Sequence, residues 1–474
     1  MRFWRAAPTV VLALAALTGG TAAGVQEREA RADPKPLGGP RLATPVLSVR
    51  RLPTVVAAPI ADRRLRADLQ AWAAGAPESS CATVVDADGQ VVLDLRGDAA
   101  LVPASTTKLL TATAALEALG PEHRFRTPLL GPAPVDGVVP GDVVLVGGGD
   151  PVLASPDYVA RYERQPQVHT DLDRLAEAVA AQGIRRIDGA VVGDEGRYDR
   201  ERYVPGWPAR YVEQDQIGPL SALAVNDGFA RYPSRDEWQE LVPAADPATE
   251  AAGVLTRLLE ARGVEVGGQP RAGAAGAAAV ELAAVESEPL TEIVRQLLQE
   301  SDNSTAELLL KELGHRVGNP TTLGGRDQLL AILAADGHDL TGTVLADGSG
   351  LSLDDRVPCR LLAALLRDPE TGEVLRTRLA VAGRSGTLTK AFLGTSLEGV
   401  LHAKTGSLNS VSALAGTADD GDGELTFAYL VNDPDGRIDE AAAVAAQAAL
   451  GQVLLSWPQV PALDALGPHP PVGG

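Results

Sequence analysis

Cysteine is nearly absent from this chain: Cys81 and Cys359 are the only two in 474 residues. Neither has a second Cys or a His at metal-ligand spacing, and the six histidines do not cluster, which excludes a zinc-binding module as the organising chemistry. No metal and no cofactor is expected. Two cysteines can pair in an oxidising compartment or stay apart as buried thiols, and the sequence leaves both open. Lysine is scarce as well. Of 42 Lys and Arg residues, only Lys35, Lys108, Lys311, Lys390 and Lys404 are lysine. Cations of both kinds are outnumbered by 62 Asp and Glu, and a formal net charge of −20 argues against nucleic acid and against an anionic membrane surface as partners. Beyond the N-terminus no apolar run approaches the length of a membrane helix, so no transmembrane anchor is expected.

What is present is ordinary for a globular protein, with 45% hydrophobic and 22% charged residues, and the length asks for two or more domains. The chain starts with Met1-Arg2-Phe3-Trp4-Arg5, continues with an apolar run from Ala6 to Leu17 and reaches small residues at Thr21-Ala22-Ala23. That succession predicts a signal peptide over residues 1–23, and hence export to the cell envelope or beyond. Residues 24–60, rich in Pro, Arg and Ala without periodicity, read as a flexible leader, and 461–474 as a tail.

The chemistry centres on Pro103-Ala104-Ser105-Thr106-Thr107-Lys108-Leu109-Leu110. Leu109, Leu110, Thr113, Leu116 and Leu119 recur at helical spacing and Gly120-Pro121 stops the run, which predicts a helix with Ser105 and Lys108 one turn apart at its start. The amine can then reach the hydroxyl. By default such a serine is a cap and such a lysine a solvated charge. Two features shift the balance. A chain that otherwise writes Arg keeps lysine here, where a base needs an amine able to lose its proton. Ser301-Asp302-Asn303 and Lys404-Thr405-Gly406 then follow in order. Each has a structural reading of its own: Ser304-Thr305-Ala306-Glu307 has the form of a capping box, and Lys404-Thr405-Gly406-Ser407 reads as a strand leaving by a glycine turn. Together and in this order they form the three-part serine signature of penicillin-binding proteins and class A β-lactamases.

Periodicity predicts a helix at 62–74, a hairpin at 82–95, late strands at 399–403, 411–416 and 425–431, and a closing helix over 438–455. These assemble into an α+β fold: a five-stranded antiparallel sheet with helices on both faces, beside a helical lobe that carries Ser105 and Ser301. Between residues 122 and 286 the pattern changes to short strands and helices without any of the three motifs, which predicts an inserted α/β domain. The catalytic domain is then discontinuous, 61–121 and 287–460.

At this point the chain resembles the D-alanyl-D-alanine carboxypeptidases of the class C, type-4 penicillin-binding proteins, with the penicillin-binding/β-lactamase-like transpeptidase fold. Gly147-Gly148-Gly149-Asp150-Pro151, Ser221-Ala222-Leu223 with Asn226, Asp347-Gly348-Ser349-Gly350-Leu351-Ser352 and Gly386-Thr387-Leu388 look like segments of that family. The resemblance implies a serine-type D-Ala-D-Ala carboxypeptidase, with DD-endopeptidase activity as an addition, acting on peptidoglycan stem peptides and acylated by β-lactams. It implies Ser105 as nucleophile and Lys108 as base. Ser301 and Asn303 would relay protons and hold the substrate amide, and Lys404 would supply positive charge. Thr405, Gly406 and Ser407 would bind substrate, with backbone N–H groups of Ser105 and Ser407 as oxyanion hole. The family's further β-rich subdomain, nested in the insertion, is expected to be reduced or absent because only 196 positions separate Ser105 from Ser301. A serine β-lactamase is the alternative, disfavoured by the lack of a Glu-x-x-x-Asn segment after Asn303. A non-catalytic binding protein is the other, disfavoured by the intact Ser105 and Lys108. Burial and the Lys404 charge are both expected to hold Lys108 partly neutral near pH 7.

Overall fold

The computed structural model describes residues 53–458 apart from 163, 234–240, 277–278, 420–422 and 434–435. The expected signal peptide, the leader up to residue 52 and the tail 461–474 lie outside the described residues. The rest of the expected leader is helical: a helix spans Pro53–Ala73 and carries Pro59 inside it. Apolar spacing is visible only from Leu65 onward, which is why the sequence reading starts the helix late.

The main sheet has the order Ala380–Val381, Leu401–Leu408, Val411–Asp419, Glu424–Asn432, Ser80–Val85, Val91–Leu95, with every neighbouring pair antiparallel. It contains the five expected strands, and the two-residue Ala380–Val381 adds a sixth at one edge. Ser80–Val85 lies directly against Glu424–Asn432, with Ala82 opposite Tyr429, so the two ends of the described chain meet in one sheet. Along Glu424–Asn432, Phe427, Tyr429 and Val431 join a core with Leu65, Leu69 and Leu450 from the helices Pro53–Ala73 and Glu440–Leu454. Ala428 and Leu430 join the opposite core with Leu109, Leu110 and Leu362. A strand buried on both faces can be apolar at consecutive positions, and this one is. A disulfide joins Cys81 on this sheet to Cys359 at the start of the helix Cys359–Leu365, with Cα atoms 5.9 Å apart.

The helix Lys108–Leu119 is buried continuously from Lys108 to Leu116. A helix apolar all round belongs inside, and it packs against Leu290–Glu300, Asn303–Arg316 and Thr322–Ala335. A second sheet draws all its strands from residues 126–286, in the order Arg271–Ala272, Val191–Asp194, Val143–Val146, Arg126–Gly131, Val280–Glu286. Its core takes in Leu175, Val179, Leu255 and Leu259 of the helices Leu172–Ala181 and Pro247–Ala261. The short strands Phe229–Arg231 and Val242–Pro243 pair antiparallel ahead of the helix Pro247–Ala261.

Candidate active site

Ser105 does not open the helix proper. It sits in a single 3-10 turn, Ala104–Thr107, and the α-helix starts at Lys108. The buried Ala104 before it adopts φ 48°, a left-handed conformation that disfavours a β-carbon. The strand Leu401–Leu408 lies against this turn, and Gly406 permits the approach: a Cβ there would stand 2.8 Å from the Pro103 carbonyl oxygen. Ser105 is half-buried; Lys108 is fully buried. The Lys108 amine donates to Ser105 Oγ at 3.1 Å, to Asn303 Oδ1 at 2.7 Å and to the Ser349 carbonyl at 2.7 Å. Three acceptors match the three protons of an ammonium. Burial lowers the Lys108 pKa to about 8, opposed by the acidic residues Asp347, Glu307, Asp302 and Asp355. Lys404 is held well below the usual lysine range by burial and then by the like charge of Lys108.

Ser301 terminates Leu290–Glu300 in a left-handed conformation, φ 60° and ψ 37°, and Asn303 begins the next helix, Asn303–Arg316. The cap between them is Asp302, whose carboxylate accepts from Thr305 N at 3.0 Å. The capping-box reading is corrected accordingly: the serine at 304 is not the cap, and Glu307 points elsewhere. Lys404 donates to Ser301 Oγ at 2.8 Å and to the Thr405 carbonyl at 2.9 Å. Lys404, Thr405, Gly406 and Ser407 all lie within the strand Leu401–Leu408, not in a turn, because the glycine there serves close packing rather than chain reversal. Thr405 Oγ1 donates to Thr387 Oγ1 at 2.9 Å, and Asn303 Nδ2 donates to the Gln216 carbonyl at 2.7 Å.

Ser105, Ser301, Asn303, Thr405 and Ser407 line one open cleft of about 800 Å³. Lys108 and Lys404 stand behind it, each reaching the cleft through a serine hydroxyl. Tyr158 and Arg161, from the part of the chain that carries the second sheet, also line it. Among the described residues no group of three or more His, Cys, Asp or Glu is placed to hold a metal ion. No described helix is long and apolar enough to cross a membrane.

The model of the D-Ala-D-Ala carboxypeptidase 3 (S13) family matches residues 65–240 and 232–455. The chain belongs to the S13 family. A carboxypeptidase of Mycobacterium tuberculosis is 33% identical over 365 residues, covering 74% of this chain and 75% of that one. A D-alanyl-D-alanine carboxypeptidase of an Actinomadura species is 30% identical over 439 residues, covering 74% and 77%. The crystal structure of penicillin binding protein 4 from Haemophilus influenzae superposes with a TM-score of 0.66 at 21% identity, over 82% of this chain and 99% of that one. The same protein is also known in complex with a β-lactam. The S13 chain therefore has the α+β penicillin-binding fold, and it is an enzyme of the carboxypeptidase class that the three motifs imply.

Sequence reasoning missed Gln216, Thr387, Glu307, Asp347 and Ser349 as neighbours of the S13 site. Thr387 and the 347–352 segment carry a resemblance to the family but no chemistry that a sequence could assign. Gln216 acts through its carbonyl, which leaves no trace in residue type.

Proposed function

We propose that this S13-family chain is an exported serine-type carboxypeptidase that removes the terminal D-Ala from peptidoglycan stem peptides ending in D-Ala-D-Ala. The observation that carries the reading is the Lys108 amine 3.1 Å from Ser105 Oγ at the floor of the cleft. Neutral Lys108 takes the Ser105 proton, and Oγ attacks the carbonyl of the penultimate D-Ala. The backbone N–H groups of Ser105 and Ser407 hold the oxyanion, each contributing roughly 3 kcal/mol in such sites. As the C–N bond breaks, Ser301, hydrogen-bonded to Lys404, passes a proton to the departing amine. Asn303 holds the substrate amide, while Thr405 and Ser407 bind the terminal carboxylate beside the Lys404 charge. Water then hydrolyses the acyl-enzyme. A β-lactam presents a strained amide to the same serine and stops at the acyl stage. Residues 122–286 act in this scheme as an inserted lobe that walls the cleft.

Ser105→Ala is expected to melt at the wild-type temperature, to release no D-Ala from a stem-peptide substrate and to take no fluorescent penicillin. A covalent label on that variant would place the nucleophile elsewhere.

A further inference from the structure

Behind Lys108 lies a loop, Asp347–Ser352, whose backbone N–H groups are taken up by buried carboxyl groups. Glu307 Oε1 accepts from Gly348 N at 3.0 Å and from Ser349 N at 2.8 Å. Asp347 Oδ1 accepts from Gly350 N at 2.7 Å, and its Oδ2 from Ser352 N at 2.7 Å and Trp207 Nε1 at 2.8 Å. Both side chains are fully buried, and neither lines the cleft. The loop so held faces the serine helix at three points. Its Ser349 carbonyl accepts from Lys108, and its Gly348 carbonyl accepts from Thr111 Oγ1 at 2.7 Å. Gly350, at φ 80°, packs so tightly on the Ser105 turn that a Cβ would stand 1.9 Å from the Ala104 carbonyl oxygen.

Building on the reading of Ser105 and Lys108 above, we infer that Glu307 is a positioning residue for acylation. It fixes the N–H groups on both sides of Gly348 and so seats Ser349, whose carbonyl, one peptide further on and held at Gly350 N by Asp347, aims the Lys108 amine at Ser105. One helix then holds the amine twice, directly through Asn303 Oδ1 and, one turn further along the same face, through Glu307 and the Ser349 carbonyl. A buried carboxyl without a cationic partner is costly in a protein interior. The two loop N–H groups it satisfies would otherwise be orphaned there, which is the physical reason for an acid at this place. Burial, with Asp347 beside it, pushes the Glu307 carboxyl up to about 8. Pushed in this way toward its uncharged form, it serves as an acceptor that a glutamine can reproduce.

The test is β-lactam acylation by rapid mixing, which separates the rate constant of the covalent step from the dissociation constant of the complex that precedes it. Glu307→Ala is expected to slow the covalent step about a hundredfold, the effect typical of a misplacement near 1 Å, with the dissociation constant unchanged within about threefold. Glu307→Gln is expected to restore the covalent step to within about tenfold of wild type. Wild-type acylation by Glu307→Ala overturns the inference. So does a glutamine variant as slow as the alanine one, which would assign the effect to charge rather than to the two hydrogen bonds. A purely structural role lowers the melting temperature and the labelled fraction but leaves the rate constant of that fraction alone, and this result also overturns it. Should Glu307→Ala not fold, Glu307→Met, which fills the same space without an acceptor, is read in the same way, with a slowed covalent step expected and an unchanged one contrary. Label on Ser105→Ala would sink the nucleophile reading itself, whereas an unlabelled Ser105→Ala beside a fast Glu307→Ala sinks only this inference.

Discussion

Lys108 is held by three acceptors, and one of them is the hydroxyl it is proposed to deprotonate. As an ammonium it donates to Ser105; once it has lost a proton the same contact reverses and the hydroxyl donates to nitrogen. Burial lowers the amine to about 8, so it is mostly charged at pH 6 and mostly neutral at pH 9. Acylation should therefore rise through about pH 8 and fall roughly tenfold per unit well below it. A rate flat from pH 6 to 9 would show that loss of this proton does not limit the step. Lys108→Arg keeps a cation that cannot release a proton here, and should lose acylation at least a hundredfold, nearly as much as Lys108→Ala. Near-normal acylation by the arginine variant would mean that the residue acts through charge alone. The pairing of Ser105 with Lys108 was legible because helical spacing is local. The environment of the amine was not, because Asp347 and Asp355 reach it from more than two hundred positions away.

The helix Asn303–Arg316 buries Glu307, Lys311 and Glu312 along its length. Arg197 forms a two-pronged pair with buried Glu312 at 2.8 and 2.6 Å, Tyr198 OH adds a third bond to it at 2.8 Å, and Lys311 pairs with Asp199. These contacts tie the segment following the strand Val191–Asp194 onto the helix that supplies Asn303. Glu312→Ala leaves the buried Tyr198 hydroxyl without its acceptor and the part-exposed Arg197 guanidinium to water, and should lower unfolding free energy by about 2 to 3 kcal/mol in urea titrations. A loss below 1 kcal/mol would show that the pair behaves as a surface one. This helix also shows where pattern reading fails. In the sequence Ser304 to Glu307 has the form of a capping box, yet Asp302 takes the cap and Glu307 turns inward to a loop about forty positions on. A local motif describes what a side chain can do. Packing decides which partner it meets. The strand Leu401–Leu408 teaches the same lesson in reverse, since Gly406 looks like a turn residue and is instead the thin spot that lets a strand lie on the Ser105 turn.

At the scale of the whole molecule, the sheet is closed by strands from both ends of the described chain, and the three motif segments converge on one cleft from positions 105, 301 and 404. Their order was readable; the contacts between them, Lys404 with Ser301 and Lys108 with Asn303, needed the fold. The bond from Cys81 to Cys359 draws a covalent ring around residues 82–358, with Ser105 and Ser301 inside it and Lys404 outside. A single proteolytic cut anywhere in that ring opens it without releasing a fragment. Once-cut protein labelled with fluorescent penicillin should therefore run as one full-length band on a denaturing gel without reductant. With reductant, a cut beyond residue 105 should leave the label on the N-terminal piece alone. Pieces that separate before reduction would mean that the two cysteines are unpaired in the protein as isolated.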